Sequence, residues 1–385
     1  MRTAPTTPVN RHSTSTAQLT ATTVSSVITT TGVTSVSTTI TTTSSTTSSS
    51  SSTATTTSNF LYGWNSTGNT VGGTTGSAGV SSTQLKTPYS MALDSSNTLY
   101  IADRNNNRVQ KVLMGSIIGT TIAGQSNGTG GSALNCLNTP SDIDVDVNGN
   151  IYVVDTNNHR VVFWPTGSSS GTIVAGNGIS GSSNNQLDTP YGIAHDWSSN
   201  IFYITDQNNH RVMRYFSNST SGTVVAGNNG AGLGTTQLYY PLGIYFDSSS
   251  NSLLIVNWVG HNVVRWVLGT NSWTLVVGTT GAAGSTSTML QSPFDVTCDS
   301  MNNVYVADTG NHRIQFYLAG QSNGTTIAGV SGTMENMSAV TNLSKVNINE
   351  KASLFSAHWT PKIIGELNGQ HVKLAKLLGE FGWHS

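Results

Sequence analysis

The side chains best suited to chemistry recur at one spacing. His159, His210, His261 and His312 follow one another at intervals of 51 residues. Imidazole is a common metal ligand, and it titrates near neutral pH. A metal site needs three or four donors converging on one point. These four histidines lie in separate units of sequence, so convergence would need all of them near one axis. The alternative is that each sits in a turn and bonds its own hairpin. On that reading no metal and no cofactor is expected.

A second pairing keeps the same period. Asp103, Asp155, Asp206 and Asp308 each stand five residues before Arg108, Arg160, Arg211 and Arg313. A hairpin with a four-residue loop sets such positions opposite each other across two strands. One unit departs, with Asn257 and Asn262 at the two places, so both charges vanish together. Losing one partner of an ion pair strands the other, which is costly; joint loss is what mutual dependence predicts. The pairs are expected to clip their hairpins, with a ring of binding charges on one rim as the alternative. Asp94, Asp146, Asp196, Asp247 and Asp299 precede turn residues. A carboxylate there bonds a backbone N–H two residues on.

Little other chemistry is available. The chain has no Ser/His/Asp set, phosphate loop or HExxH motif. Cys136 and Cys298 are too few for a disulfide framework or a four-cysteine zinc site, and read as ordinary thiols. Charged residues make up 9% of the chain, against about 25% in ordinary domains. From residue 85 to 329 there are nine Lys/Arg and thirteen Asp, and 9 − 13 = −4. An RNA-binding face needs the opposite sign, so no nucleic-acid partner is expected. No apolar run is long enough for a membrane span.

The elements that must position these residues form a repeat. Pro88, Pro140, Pro190, Pro241 and Pro293 are separated by 52, 50, 51 and 52 residues. Arg108, Arg160, Arg211, Asn262 and Arg313 keep the same step. Each unit reads as four short strands: SDIDVDV, IYVVD, RVVFW and GTIVAG in the second. Four-stranded units repeated radially are propeller blades; a linear solenoid is the competing arrangement. PYGIAHD with FYITDQNNHRV, and PFDVTCD with VYVADTGNHRI, resemble the NHL repeat. The resemblance covers 85–329 and implies an all-β fold, an NHL-type β-propeller. Five full repeats are present, and NTVGG at 69–73 looks like the last strand of another. A five-bladed ring and an incomplete six-bladed ring both fit.

Three zones follow: 1–58, 59–335 and 336–385. The first is nearly pure Ser/Thr. Such a segment cannot offset its ordering entropy, so a disordered low-complexity tail is expected. The last holds five lysines and most of the glutamates. Its SLFSAHWTPKIIGELNGQHVKLAKLLGEFGWHS resembles the leading strands of a small cupin and ends at the start of that family's first metal motif. A truncated cupin-like fragment is expected, with His384 alone holding no metal.

Function should lie where the repeats differ. The candidate binding surface is Arg104, His195, Trp197, Gln207, Tyr239, Tyr240, Asn257, Trp258 and Asn262, with Trp258 foremost because it replaces a polar residue. Exposed Trp and Tyr are favoured interface anchors. The resemblance implies a non-catalytic scaffold binding a protein, peptide or glycan, with no catalytic residue. One alternative is a metal-dependent lyase like the peptide-amidating lyase, for which only His195 lies on an innermost strand. Others are RNA binding and substrate recognition for a ubiquitin ligase. Sequons at Asn65, Asn127, Asn218, Asn323, Asn336 and Asn342 suit an extracellular or cell-surface glycoprotein. The N-terminus shows no signal-peptide core, which leaves a cytoplasmic location open.

Overall fold

The computed structural model describes residues 71–329 except 75, 218 and 220, together with five short strands outside that range. The chain divides into two compact units, 1–63 and 64–385. In the first, β1 (Thr23–Val27), β2 (Ser37–Thr43) and β3 (Thr53–Thr56) form an antiparallel sheet. The tail expected to be unstructured otherwise falls outside the described residues.

The second unit is a ring of five four-stranded antiparallel blades. Blade one is β4 (Pro88–Leu93), β5 (Leu99–Asp103), β6 (Arg108–Val112) and β7 (Gly119–Gly124). Blade two is β8 (Pro140–Val145), β9 (Ile151–Asp155), β10 (Arg160–Trp164) and β11 (Thr172–Ala175). Blade three is β12 (Pro190–Asp196), β13 (Ile201–Asp206), β14 (Arg211–Phe216) and β15 (Thr223–Gly227). Blade four is β16 (Pro241–Asp247), β17 (Ser252–Asn257), β18 (Asn262–Val267) and β19 (Trp273–Gly278). Blade five is β20 (Asp295–Cys298), β21 (Val304–Asp308), β22 (Arg313–Tyr317) and β23 (Thr325–Gly329). A further pair, β24 (Ile363–Ile364) and β25 (Lys373–Leu374), is antiparallel. The cupin-like expectation for 336–385 otherwise lies outside the described residues.

Each blade is covered on both faces, and its sequence shows it. The second strand, IYVVD in blade two, is buried at every position. A strand packed on two sides reads as a continuous apolar run rather than an alternation. The outermost strand meets water, and its exposure rises accordingly. Every blade shifts register between its third and fourth strands, as at Val161/Val162. Such a bulge increases local twist, which a propeller blade needs.

The core is therefore distributed between blades. One cluster joins blades one and two, another blades two and three, and others blades three to four and four to five. Leu137, Leu187, Leu238 and Leu290, three residues before each proline, are fully buried in these seams. Burying each contributes about 1.5–3 kcal/mol. Among the described residues no cluster joins blade five to blade one. Val71 instead packs on Leu85, Leu99, Ile101 and Val112 of blade one. A Cβ on neighbouring Gly72 would stand 3.0 Å from Ile101. The segment read as a leftover strand thus covers blade one from Val71 onward, without joining a ladder.

Candidate functional site

The aspartate–arginine positions face each other across the second and third strands, as Asp155 and Arg160 do in register. Arg160 Nε donates to Asp155 Oδ2 at 2.8 Å, and both side chains are buried. The same contact is 2.8 Å for Arg108–Asp103 and 2.7 Å for Arg211–Asp206 and Arg313–Asp308. Each guanidinium also reaches further. Arg160 Nη1 donates to Ser132 O at 2.7 Å, and Nη2 to the carbonyls of Ala133 and Cys136. Asp155 accepts from the backbone N–H of Asn138 and from Asn158 Nδ2. One buried pair thus ties a hairpin to the Gly/Ser loop that brings the chain into its blade. Burial pushes all four carboxyls above the ordinary range, and the amide, asparagine and guanidinium donors pull against it. The aspartates at the far end of the first strand make the expected turns: Ser96, Asn148, Ser198, Ser249 and Met301 each donate a backbone N–H two residues on.

The backbone N–H of each turn histidine bonds its own turn, but the imidazoles of His159, His210 and His261 reach the next blade instead. His159, His210, His261 and His312 adopt left-handed backbone, with φ between 51° and 56°. His159 Nδ1 accepts the backbone N–H of Thr189 at 3.1 Å, the residue before the proline of the next blade. His210 does this for Tyr240, and His261 for Ser292. Asn107 Oδ1 plays the part in blade one, toward Thr139. The left-handed turn aims the ring outward, so its acceptor meets the next blade instead. Burial holds the pKa of His210 and His261 below the usual value, which suits an unprotonated Nδ1.

Blade four holds its entry loop without charge and less completely, because Asn257 Nδ2 and Asn262 Oδ1 are buried there with no hydrogen-bond partner. Asn257 Oδ1 still accepts the entry-loop N–H, from Tyr239 at 3.0 Å. Asn262 Nδ2 donates to Thr280 Oγ1 at 2.7 Å. The loop carbonyl that an arginine would hold, Gln237 O, accepts Trp273 Nε1 at 2.8 Å instead. Glycines 119, 171, 222 and 324 hold the place of Trp273 in the other blades. There a Cβ would lie 2.3–2.9 Å from neighbouring atoms.

Beside this altered hairpin four rings gather at one rim. Tyr239 and Tyr240 stack at 5.6 Å and 21°. Trp258 meets Tyr240 edge-on at 6.2 Å, and His210 meets Tyr240 at 4.6 Å. All four are partly exposed. Tyr240 holds φ at 50°, a bulky side chain in the left-handed region. At the same end of the strands, Tyr89, Tyr191 and Phe294 of blades one, three and five touch, with centroids 5.3–6.0 Å apart. The Arg104 guanidinium lies 4.3 Å above the Tyr89 ring.

The NHL-repeat family model matches 85–112, 137–162 and 290–317. These segments hold the clips of blades one, two and five. The chain carries NHL repeats. No curated protein matches it. A structural-genomics protein of unknown function from Bacteroides thetaiotaomicron aligns over 87% of this chain and 80% of its own, at 14% identity and TM-score 0.57. That likeness speaks for the fold alone. A chain of the nidogen/laminin complex aligns over 63% of this chain and 80% of its own, at 20% identity and TM-score 0.49. A streptogramin B lyase aligns over 64% and 70%, at 13% identity and TM-score 0.43.

The NHL framework divides the candidate surface. Gln207 lies with His210 in the turn after β13, and Arg104 begins the equivalent turn in blade one. Tyr239, Tyr240 and Trp258 lie at this end too. Asn257 and Asn262 are 1% and 0% exposed, so they shape the rim from beneath and are not surface. His195 and Trp197 lie at the other end of β12. The His195 side chain is fully buried, and it faces the seam between blades two and three rather than a surface. Its Nδ1 is 3.0 Å from Asp144 Oδ2, and Trp197 stacks on it at 4.1 Å and 7°. Leu93, Val145, Phe246 and Cys298 fill its place in other blades. Aligning the repeats on proline would have marked His195 as a core position. Among the described residues no three His, Cys, Asp or Glu side chains cluster as metal ligands.

Proposed function

We propose that this protein is a non-catalytic interaction module, binding a protein, peptide or glycan on the propeller face that carries Tyr239, Tyr240 and Trp258. One observation supports it most. Blade four lacks the ionic clip, and it alone has aromatic side chains at the turn-opening position and the two positions before the proline, all partly exposed. Trp and Tyr offer large contact area and are enriched among interface hot spots. Asn127 and Asn323, two of the sequon asparagines, stand exposed in loops, as an extracellular glycoprotein would need.

Protein, peptide and glycan arrays probed with the wild type and Trp258→Ala test this. Trp258→Ala should cost at least about tenfold in affinity while the melting temperature stays unchanged. Thr309→Ala, at the matching position of blade five, should bind as the wild type does. Equal binding by Trp258→Ala and wild type would remove this face from consideration.

A further inference from the structure

The five blades present their loops at this end in a comparable way, so the face can be read position by position. The turn after the second strand opens with Arg104, Thr156, Gln207, Trp258 or Thr309. The two residues before each proline are Lys86–Thr87, Asn138–Thr139, Asp188–Thr189, Tyr239–Tyr240 or Gln291–Ser292. Blade four is aromatic at all three positions, and no other blade is aromatic at any. The tyrosines of this group stack, and Trp258 closes on Tyr240 edge-on.

The surroundings are polar and nearly uncharged. Exposed Asn208 and Asn228 flank His210, whose backbone carbonyl accepts the Asn228 N–H. Gln207 begins the same turn. The turns 207–210 and 258–261 contain no lysine, arginine or acid. The nearby carboxylate, Asp188, already accepts Asn208 Nδ2 at 3.2 Å and Thr189 Oγ1 at 3.1 Å. These two turns offer a phosphate- or carboxylate-bearing ligand no cation; Lys86 and Arg104 stand at this end in blade one, where the Arg104 guanidinium lies over the Tyr89 ring.

We propose that the ligand of this face is a neutral saccharide. The proposal rests on the interaction-module reading above and narrows it. A sugar ring has one face of C–H groups polarised by their oxygens, and an edge of hydroxyls. The negative face of an aromatic ring attracts the first. Side-chain amides both donate to and accept from the second. Rings flanked by asparagine and glutamine supply both kinds of contact; Asn208, whose Nδ2 is held by Asp188 and Thr189, offers its carbonyl. A proline-rich peptide also uses aromatic-lined surfaces, and it is the alternative the experiment must separate.

The full chain is titrated with neutral tetrasaccharides of β-linked glucose, galactose, mannose and xylose, and with a proline-rich decapeptide, by calorimetry and tryptophan fluorescence. At least one tetrasaccharide should bind and perturb fluorescence. Trp258→Ala should weaken it about tenfold or more, while Trp258→Phe keeps affinity within about threefold. Tyr239→Ala is a second variant, and unchanged melting temperature certifies the fold of each. If only the peptide binds, and Trp258→Ala abolishes that, the saccharide falls but the binding face stands. If a saccharide binds equally to wild type and Trp258→Ala, the assignment to this face is overturned. If neither kind of probe binds, the saccharide proposal is overturned, and the array comparison decides the wider reading.

Discussion

Blades two and four have the same strands in the same order, yet they hold their entry loops by different means. Blade two uses one buried guanidinium, which bonds a carboxylate and three loop carbonyls. Blade four uses two amides and an indole. Its ion pair lies at the other end of the blade, where Arg265 Nη1 meets Asp247 Oδ2 at 2.5 Å. Both arrangements satisfy loop carbonyls and N–H groups, since buried polar groups left unpaired are costly, and blade four does so less fully, leaving Asn257 Nδ2 and Asn262 Oδ1 buried without partners. Which donors do so is free to vary. Where the ionic clip is given up, the rim above it takes on aromatic rings.

The comparison breaks most sharply at the clip. Arg160→Ala strands the buried Asp155 carboxylate and should cost about 3–5 kcal/mol by denaturant unfolding. Asp155→Asn with Arg160→Asn, the pair blade four uses, should cost less than Arg160→Ala alone. Additive losses in a double-mutant cycle on these two residues would show that they do not act as a pair.

Trp273→Gly gives blade four the residue of the other blades without their arginine. It empties a buried site and frees Gln237 O, at a cost of about 3 kcal/mol. A melting temperature equal to wild type would mean that Trp273 does not replace the guanidinium.

The relocated ion pair has a pH signature. Burial alone would raise the Asp247 carboxyl; the Ser249 and Ser250 hydroxyls and the Arg265 guanidinium outweigh it and leave the pKa at about 2. A depressed carboxylate pKa contributes stability that is present above the unfolded value, about 3.9. That stability is lost as pH falls through the folded value. Acid titration of stability should therefore show a loss between about pH 4 and pH 2. Arg265→Ala should reduce the loss in that window. An identical slope in the variant would leave the pair without a role.

The turn histidines give the smallest effect. His210 Nδ1 must be unprotonated to accept the Tyr240 N–H, and burial lowers its pKa. Its contribution is present above the unfolded value, about 6.5, and fades as pH falls through the folded one. His210→Ala should cost about 1 kcal/mol at pH 7.5. His210→Asn should cost less, because Asn107 makes the equivalent bond in blade one, and it should remove this residue's share of the pH dependence. An Asn variant as unstable as Ala would contradict the inter-blade bond.

Much of this architecture was legible in the residues. Five prolines and four Asp–Arg pairs in one period mark the blades, because each blade must solve the same hairpin and the same entry. The paired loss at Asn257 and Asn262 was legible for the same reason. The partners of these residues were not. The carbonyls held by Arg160 lie 24 to 28 residues earlier, and the N–H held by His159 lies 30 residues later. No local pattern announces contacts made by stacking one blade on the next. Trp273 as a replacement for an arginine was invisible because the two occupy different strands.

The sequence by itself determined the repeat, the four-stranded unit and the residues that clip it. These follow from period, turn chemistry and pairing across a hairpin, all of which act over short stretches of chain. Only the tertiary structure decided which side chains meet across the seams and which reach the surface. It buried His195 beneath Trp197, turned the histidines toward the next blade, and gathered Tyr239, Tyr240 and Trp258 at one rim. The reason is physical: a blade hides its apolar faces only against its neighbours, so exposure is set by the ring and not by any one repeat.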